Sequence, residues 1–140
     1  MKQEVIFSFD TSIGSDQVQI ELCNETMILA RTTIHFTSTD TQSLLKESMQ
    51  LLQSHSCTPQ NLVGVAVIFG TSRFTVARLC AVIANALSWS LHVPALSYVT
   101  PPAISTLWDN MHQQAKEHAQ SSNPYPLIDP HYTKEPNITL

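Results

Sequence analysis

The chain has 140 residues, 43% of them apolar and 13% charged, and carries a net charge of −4. That length supports one domain with a real core, and the charged fraction is about half the usual ~25%, leaving a charge-poor surface open to cover by a partner. No run of Lys or Arg is present to gather phosphates, which argues against nucleic-acid binding by this chain alone.

In chain order, Val5, Phe7 and Phe9 alternate with Ile6, Ser8 and Asp10, the period of a strand with a polar far end. Asp10-Thr11-Ser12 and Gly14 predict a turn. Val18, Ile20 and Leu22 alternate with Gln17, Gln19 and Glu21, a second strand with one wet face. Cys23 to Thr26 predicts a hairpin, and Met27 to Phe36 a third strand with β-branched Thr32, Thr33 and Ile34. Ser38 to Thr41 are good helix caps, followed by Leu44, Leu45, Met49 and Leu52 at the spacing of an amphipathic helix. Thr58-Pro59 fits a cap with proline at the first position of a short helical turn.

Val63 to Phe69 is apolar throughout, as in a central strand covered on both faces. Gly70 to Arg73 connects it to a long helix, Phe74 to Leu91, that ends near His92. Ala95 to Val99 predicts a last strand, and Pro101-Pro102 opens a third helix from Ala103 to about Gln120. Beyond Ser121, Pro124, Pro126, Pro130 and Pro136 predict an extended tail without a core of its own. The chain thus divides into a lobe, 1–120, and a tail, 121–140. Its order of elements predicts an α/β fold: a mixed sheet of about five strands, a three-strand antiparallel meander followed by two helix-linked strands. This is the layout of a single actin-like ATPase, ribonuclease-H-like lobe, an analogy of fold that says little about activity.

Cys23, Cys57 and Cys80 are odd in number and lack a C-x-x-C pattern, so buried free thiols are expected. His112 and His118 are six apart on one helix and face different ways, so no metal site is expected. Asp10-Thr11-Ser12 sits at a strand end, where actin-like ATPases meet phosphate and metal, and is followed by Gly14; Gly70 to Arg73 forms a second loop. A phosphate cradle needs several converging backbone N–H groups, which glycines permit. Each loop has one glycine, which favours a structural turn and no cofactor, although a small ATP-binding enzyme stays open. Met1-Lys2-Gln3-Glu4 leads straight into a strand and does not read as a signal peptide, which suits a cytoplasmic address.

The run Val65-Ala66-Val67-Ile68-Phe69-Gly70-Thr71-Ser72-Arg73-Phe74-Thr75-Val76-Ala77-Arg78-Leu79 resembles the signature of the TsaB (YeaZ-type) family, an apolar strand followed by G-P-G-S-F-T-G-L-R. Gly70, Phe74, Thr75 and Arg78 match it in spacing, and Asp10, Thr11 and Ser12 match the family's I-D-T-S turn. The family's proline is Thr71 here, and its second and third glycines are Ser72 and Val76. Of its H-S-E-R-L-L helix entry only Leu44 and Leu45 remain. The last residues resemble the family tail P-L-Y-L-R-P-P-D-I-T-L at Pro130, Tyr132, Pro136, Ile138, Thr139 and Leu140, with Lys134 for Arg. The resemblance spans about residues 3–100 and 124–140, and suggests a shortened member that kept the tail and lost an internal second lobe. It implies a non-catalytic subunit that pairs, through helices of this lobe, with a TsaD-type catalytic subunit in tRNA threonylcarbamoyladenosine synthesis, with TsaE in the same complex.

The second long helix is apolar nearly all round, so it should be buried on every side. Either the other two helices cover it or a partner does; the partner is the favoured reading. A membrane span is not expected, because Arg78 and Asn85 interrupt it. Val76, Leu79, Ile83 and Leu87 form a bulky stripe suited to the sheet. Ala77, Ala81, Ala84 and Ser88 form a small-residue stripe expected to face a partner helix, with Leu45, Met49 and Leu52 nearby. That patch would serve a TsaD-type subunit, or a second copy if the chain is a self-associating module with no tRNA role.

Overall fold

The computed structural model describes residues 3–14, 16–35, 42–70, 74–119 and 123–129. Strand β1, Val5–Asp10, is buried along its whole length and forms the centre of the sheet. It pairs antiparallel with β2, Gln17–Cys23, which pairs antiparallel with β3, Ile28–His35. Helix α1, Gln42–Ser54, and a 3-10 turn, Pro59–Asn61, lead to β4, Leu62–Ile68, parallel to β1 on its other side. Helix α2, Phe74–Leu91, returns the chain to β5, Ala95–Tyr98, parallel to β4, and α3, Ile104–Glu117, follows. The five strands lie in the order β3-β2-β1-β4-β5. The expected mixed α/β lobe is what forms.

Local chemistry sets the element ends. Met27, expected as the start of the third strand, belongs instead to the hairpin turn. The Asn24 side chain accepts hydrogen bonds there from Thr26 N at 2.9 Å and Met27 N at 2.8 Å, closing a turn of side-chain-assisted type. The third helix begins one residue later than expected, because Ala103 stays extended (ψ 151°). Thr58 caps the short turn through Asn61, whose Oδ1 accepts from Thr58 N at 2.8 Å. The expected caps at Ser38 to Thr41 lie outside the described residues.

The two sheet faces pack differently. Val5, Phe7, Phe9, Val65, Val67 and Phe69 point to one face, where they meet α1 and α2 in the larger core. There the strands supply bulk and α2 supplies small residues, Ala77, Ala81 and Ala84. On the opposite face β4 presents Gly64 and Ala66, and α3 supplies bulk through Leu107, Trp108 and Met111. A Cβ on Gly64 would collide with the Met111 sulfur, so the absence of a side chain there lets α3 sit down. All three cysteines are buried and free. Among the described residues, no helix is long and apolar enough to cross a membrane.

Candidate functional site

The motif residues of β1 and β4 converge because parallel neighbours end on the same side of the sheet. Asp10 is in register with Ile68, and the chain turns just beyond both. Thr11 ties the strands together: its N and Oγ1 donate to Ile68 O at 2.9 and 2.7 Å, and its Oγ1 accepts from Gly70 N at 3.3 Å. Ser12 folds back on Asp10, donating from N at 2.8 Å and from Oγ at 2.5 Å to Asp10 Oδ1. Gly70 packs so closely on this turn that a Cβ would overlap the Ser12 Cα and Cβ. Asp10 and Thr11 are buried. The arrangement locks a corner of the sheet, and each named donor is spent within the chain.

Thr75 and Arg78 project from the exposed side of α2. The Phe74 side chain and residues 71–73 lie outside the described residues. Among the described residues, no group of three or more His, Cys, Asp or Glu could hold a metal ion. His112 stands at the edge of the Trp108 ring, 5.6 Å between centroids, and His118 against Tyr125, 4.8 Å.

Helix α2 corrects the expected assignment of faces. The small stripe does not look outward: Ala77, Ala81, Ala84 and Ser88 are 0–5% exposed. They lie on the sheet because the strand side chains beneath them are large, and small side chains let the helix approach. Ser88 also donates from Oγ to Val93 O at 2.6 Å, securing the helix end. Leu52 is likewise buried and Met49 packs on the core, so of the three α1 residues only Leu45 is exposed. Of the bulky stripe, Val76 is buried and Leu79, Ile83 and Leu87 pack at its flank. Since α3 occupies the opposite sheet face, it does not pack over the outer side of α2.

That outer side carries two apolar residues missed by the periodicity, Val82 at 57% and Trp89 at 74% exposure. The signal was present. Arg78 and Asn85 mark the same side, and 78, 82, 85 and 89 share one helical row. Residues 123–129, expected as tail, dock on this chain's own lobe. Tyr125 and Ile128 are buried, and the Asn85 amide both donates to Ile128 O (3.1 Å) and accepts from Ile128 N (2.8 Å). The family-like ending, 130–140, lies outside the described residues.

No family model matches the chain, and no curated protein matches it. Solved structures do resemble it. YeaZ from Pseudomonas aeruginosa superimposes with a TM-score of 0.58 at 21% identity, over 68% of this chain and 43% of that one. A protein described as uncharacterised with similarity to peptidase YeaZ, from Pseudomonas aeruginosa, gives a TM-score of 0.60 at 20% identity, over 86% of this chain and 50% of that one. The chain spans about half the length of the structures it matches. In fold, the chain is similar to part of the YeaZ structure, a single α/β lobe.

Proposed function

We propose that this chain is a non-catalytic, cytoplasmic partner subunit for a TsaD-type catalytic subunit in tRNA threonylcarbamoyladenosine synthesis, with TsaE in the same assembly. The observation that carries this reading is the outer face of α2, where Val82 and Trp89 stand exposed on either side of Asn85, the residue on which 123–129 docks. Trp is the residue type most enriched at interface hot spots. A stable pairing on this face would bury about 1,200–2,000 Å² in total. The likeness to YeaZ supports the reading at the level of fold. The turn at Asp10 supports a structural part for the motif, since Ser12 already engages the carboxylate.

The test is sedimentation velocity of the chain mixed with its cognate TsaD-type protein. Wild type should form a complex, and a Val82→Arg/Trp89→Arg variant should stay folded and lose it. A wild-type homodimer that ignores the added protein would replace this reading with self-association. Calorimetry should detect no ATP binding by the isolated chain. Micromolar affinity that disappears in Asp10→Ala would overturn the scaffold reading.

A further inference from the structure

The stretch 123–129 runs from the end of α3, on one sheet face, round the outer edge of β5 to α2 on the other. It is seated like a bound peptide. Its backbone is held by the Asn85 side-chain amide, which satisfies both main-chain groups of Ile128 as a neighbouring strand would. That contact reads backbone and ignores side-chain identity. Tyr125 is clasped between two rings, His92 at the end of α2 (5.1 Å) and His118 at the end of α3 (4.8 Å). Ile128 inserts into the larger core. Between these anchors Pro126 and Leu127 face solvent, Leu127 at 70% exposure.

The seat is wider than its occupant. A cavity of about 360 Å³ lies between 125–129 and the edge of β5, lined by Ala95, Leu96, Ser97 and Gln114. Pro94 O and Tyr98 O accept from Val65 and Phe69 of the β4 side, so alternation along a parallel strand turns the main-chain groups of Ala95 and Ser97 towards that cavity. One wall of the groove is therefore a sheet edge that no other described strand pairs with, a surface that pairs with extended chains.

We infer that the groove between α2, the end of α3 and the edge of β5 is a peptide-docking site, filled in cis by residues 124–129. It takes an extended peptide with an aromatic side chain three residues before an aliphatic one. The chain's own segment competes through tethering, which holds it at an effective concentration of about millimolar. A free peptide must exceed that to displace it.

The probe is a capped synthetic peptide spanning Asn123–Asp129, titrated by NMR into the full chain with the His92 and His118 ring protons, which flank the Tyr125 seat, as reporters. Wild type should respond only near millimolar peptide. A Tyr125→Ser/Ile128→Ser variant, whose own segment no longer anchors, should bind at least tenfold tighter. Adding Asn85→Leu should remove that gain. A folded double variant that does not bind the peptide overturns the proposal. If the double variant does not fold, hydrogen exchange on wild type decides. The Ile128 amide should exchange at least 100-fold faster than that of Phe7, whereas equal rates would make the segment an inseparable part of the core and overturn the proposal.

Discussion

Gly64 and Gly70 each stand where a side chain would strike a neighbour, and the neighbour decides the consequence. At Gly70 the obstacle is the Ser12 backbone, fixed by hydrogen bonds to Asp10. At Gly64 it is the end of the Met111 side chain, which can adopt another rotamer. Gly70→Ala should therefore cost about 3 kcal/mol, at the upper end for overpacking, and Gly64→Ala about 1 kcal/mol. Urea unfolding of the two variants checks the order. Equal losses would show that the turn at Ser12 yields as readily as a methionine.

Among the elements, α2 shows how a helix of nearly uniform hydropathy acquires sides. Ala81 lies over the sheet at 3% exposure, and Val82, one residue on, is 57% exposed. An arginine at Ala81 would bury a charge with no partner, so Ala81→Arg should lose about 3–5 kcal/mol and leave much of the chain unfolded. Val82→Arg should change stability by no more than about 0.5 kcal/mol. Circular dichroism melts of the pair separate the two faces. A folded Ala81→Arg would return the small stripe to the surface. On the other side of the sheet the division of bulk is reversed, with small residues in β4 and large ones in α3. Each layer closes because one partner gives way where the other is large.

For the whole molecule, burial of Cys80 in the larger core links stability to pH. Desolvation raises its thiol from an ordinary 9.0 to about 12. The folded state then holds the proton where the unfolded chain releases it. This contribution is complete below pH 9 and is lost as pH rises towards 12, at about 1.4 kcal/mol per pH unit. Urea melts at a series of pH values should show the decline in wild type. Cys80→Ala should make it shallower above pH 9, leaving the part owed to Cys23, Tyr98 and Tyr125, which burial also raises. An identical slope in both proteins would place the alkaline loss in other groups.

Much of the lobe was legible in the chain itself, because its signals are local. Alternation marked β1 and β2, the apolar run marked the central β4, and α2 and α3 start within a residue of expectation, while α3 ends at Glu117, three residues before the expected Gln120. The Asp10 turn and Gly70 were also visible, as parts of a family-like pattern. Their meeting was not, since it depends on β1 and β4 lying parallel in one register. The faces of α2 could not be assigned from its own residues, because an apolar stripe of either size can lie inward. Bulky strand residues beneath it chose the small one. The docking of 123–129 rests on Asn85 and Ile128, 43 positions apart, and on two histidines at the ends of different helices. Periodicity reports forces between near neighbours along the chain, whereas these contacts form only once the sheet has brought distant segments together.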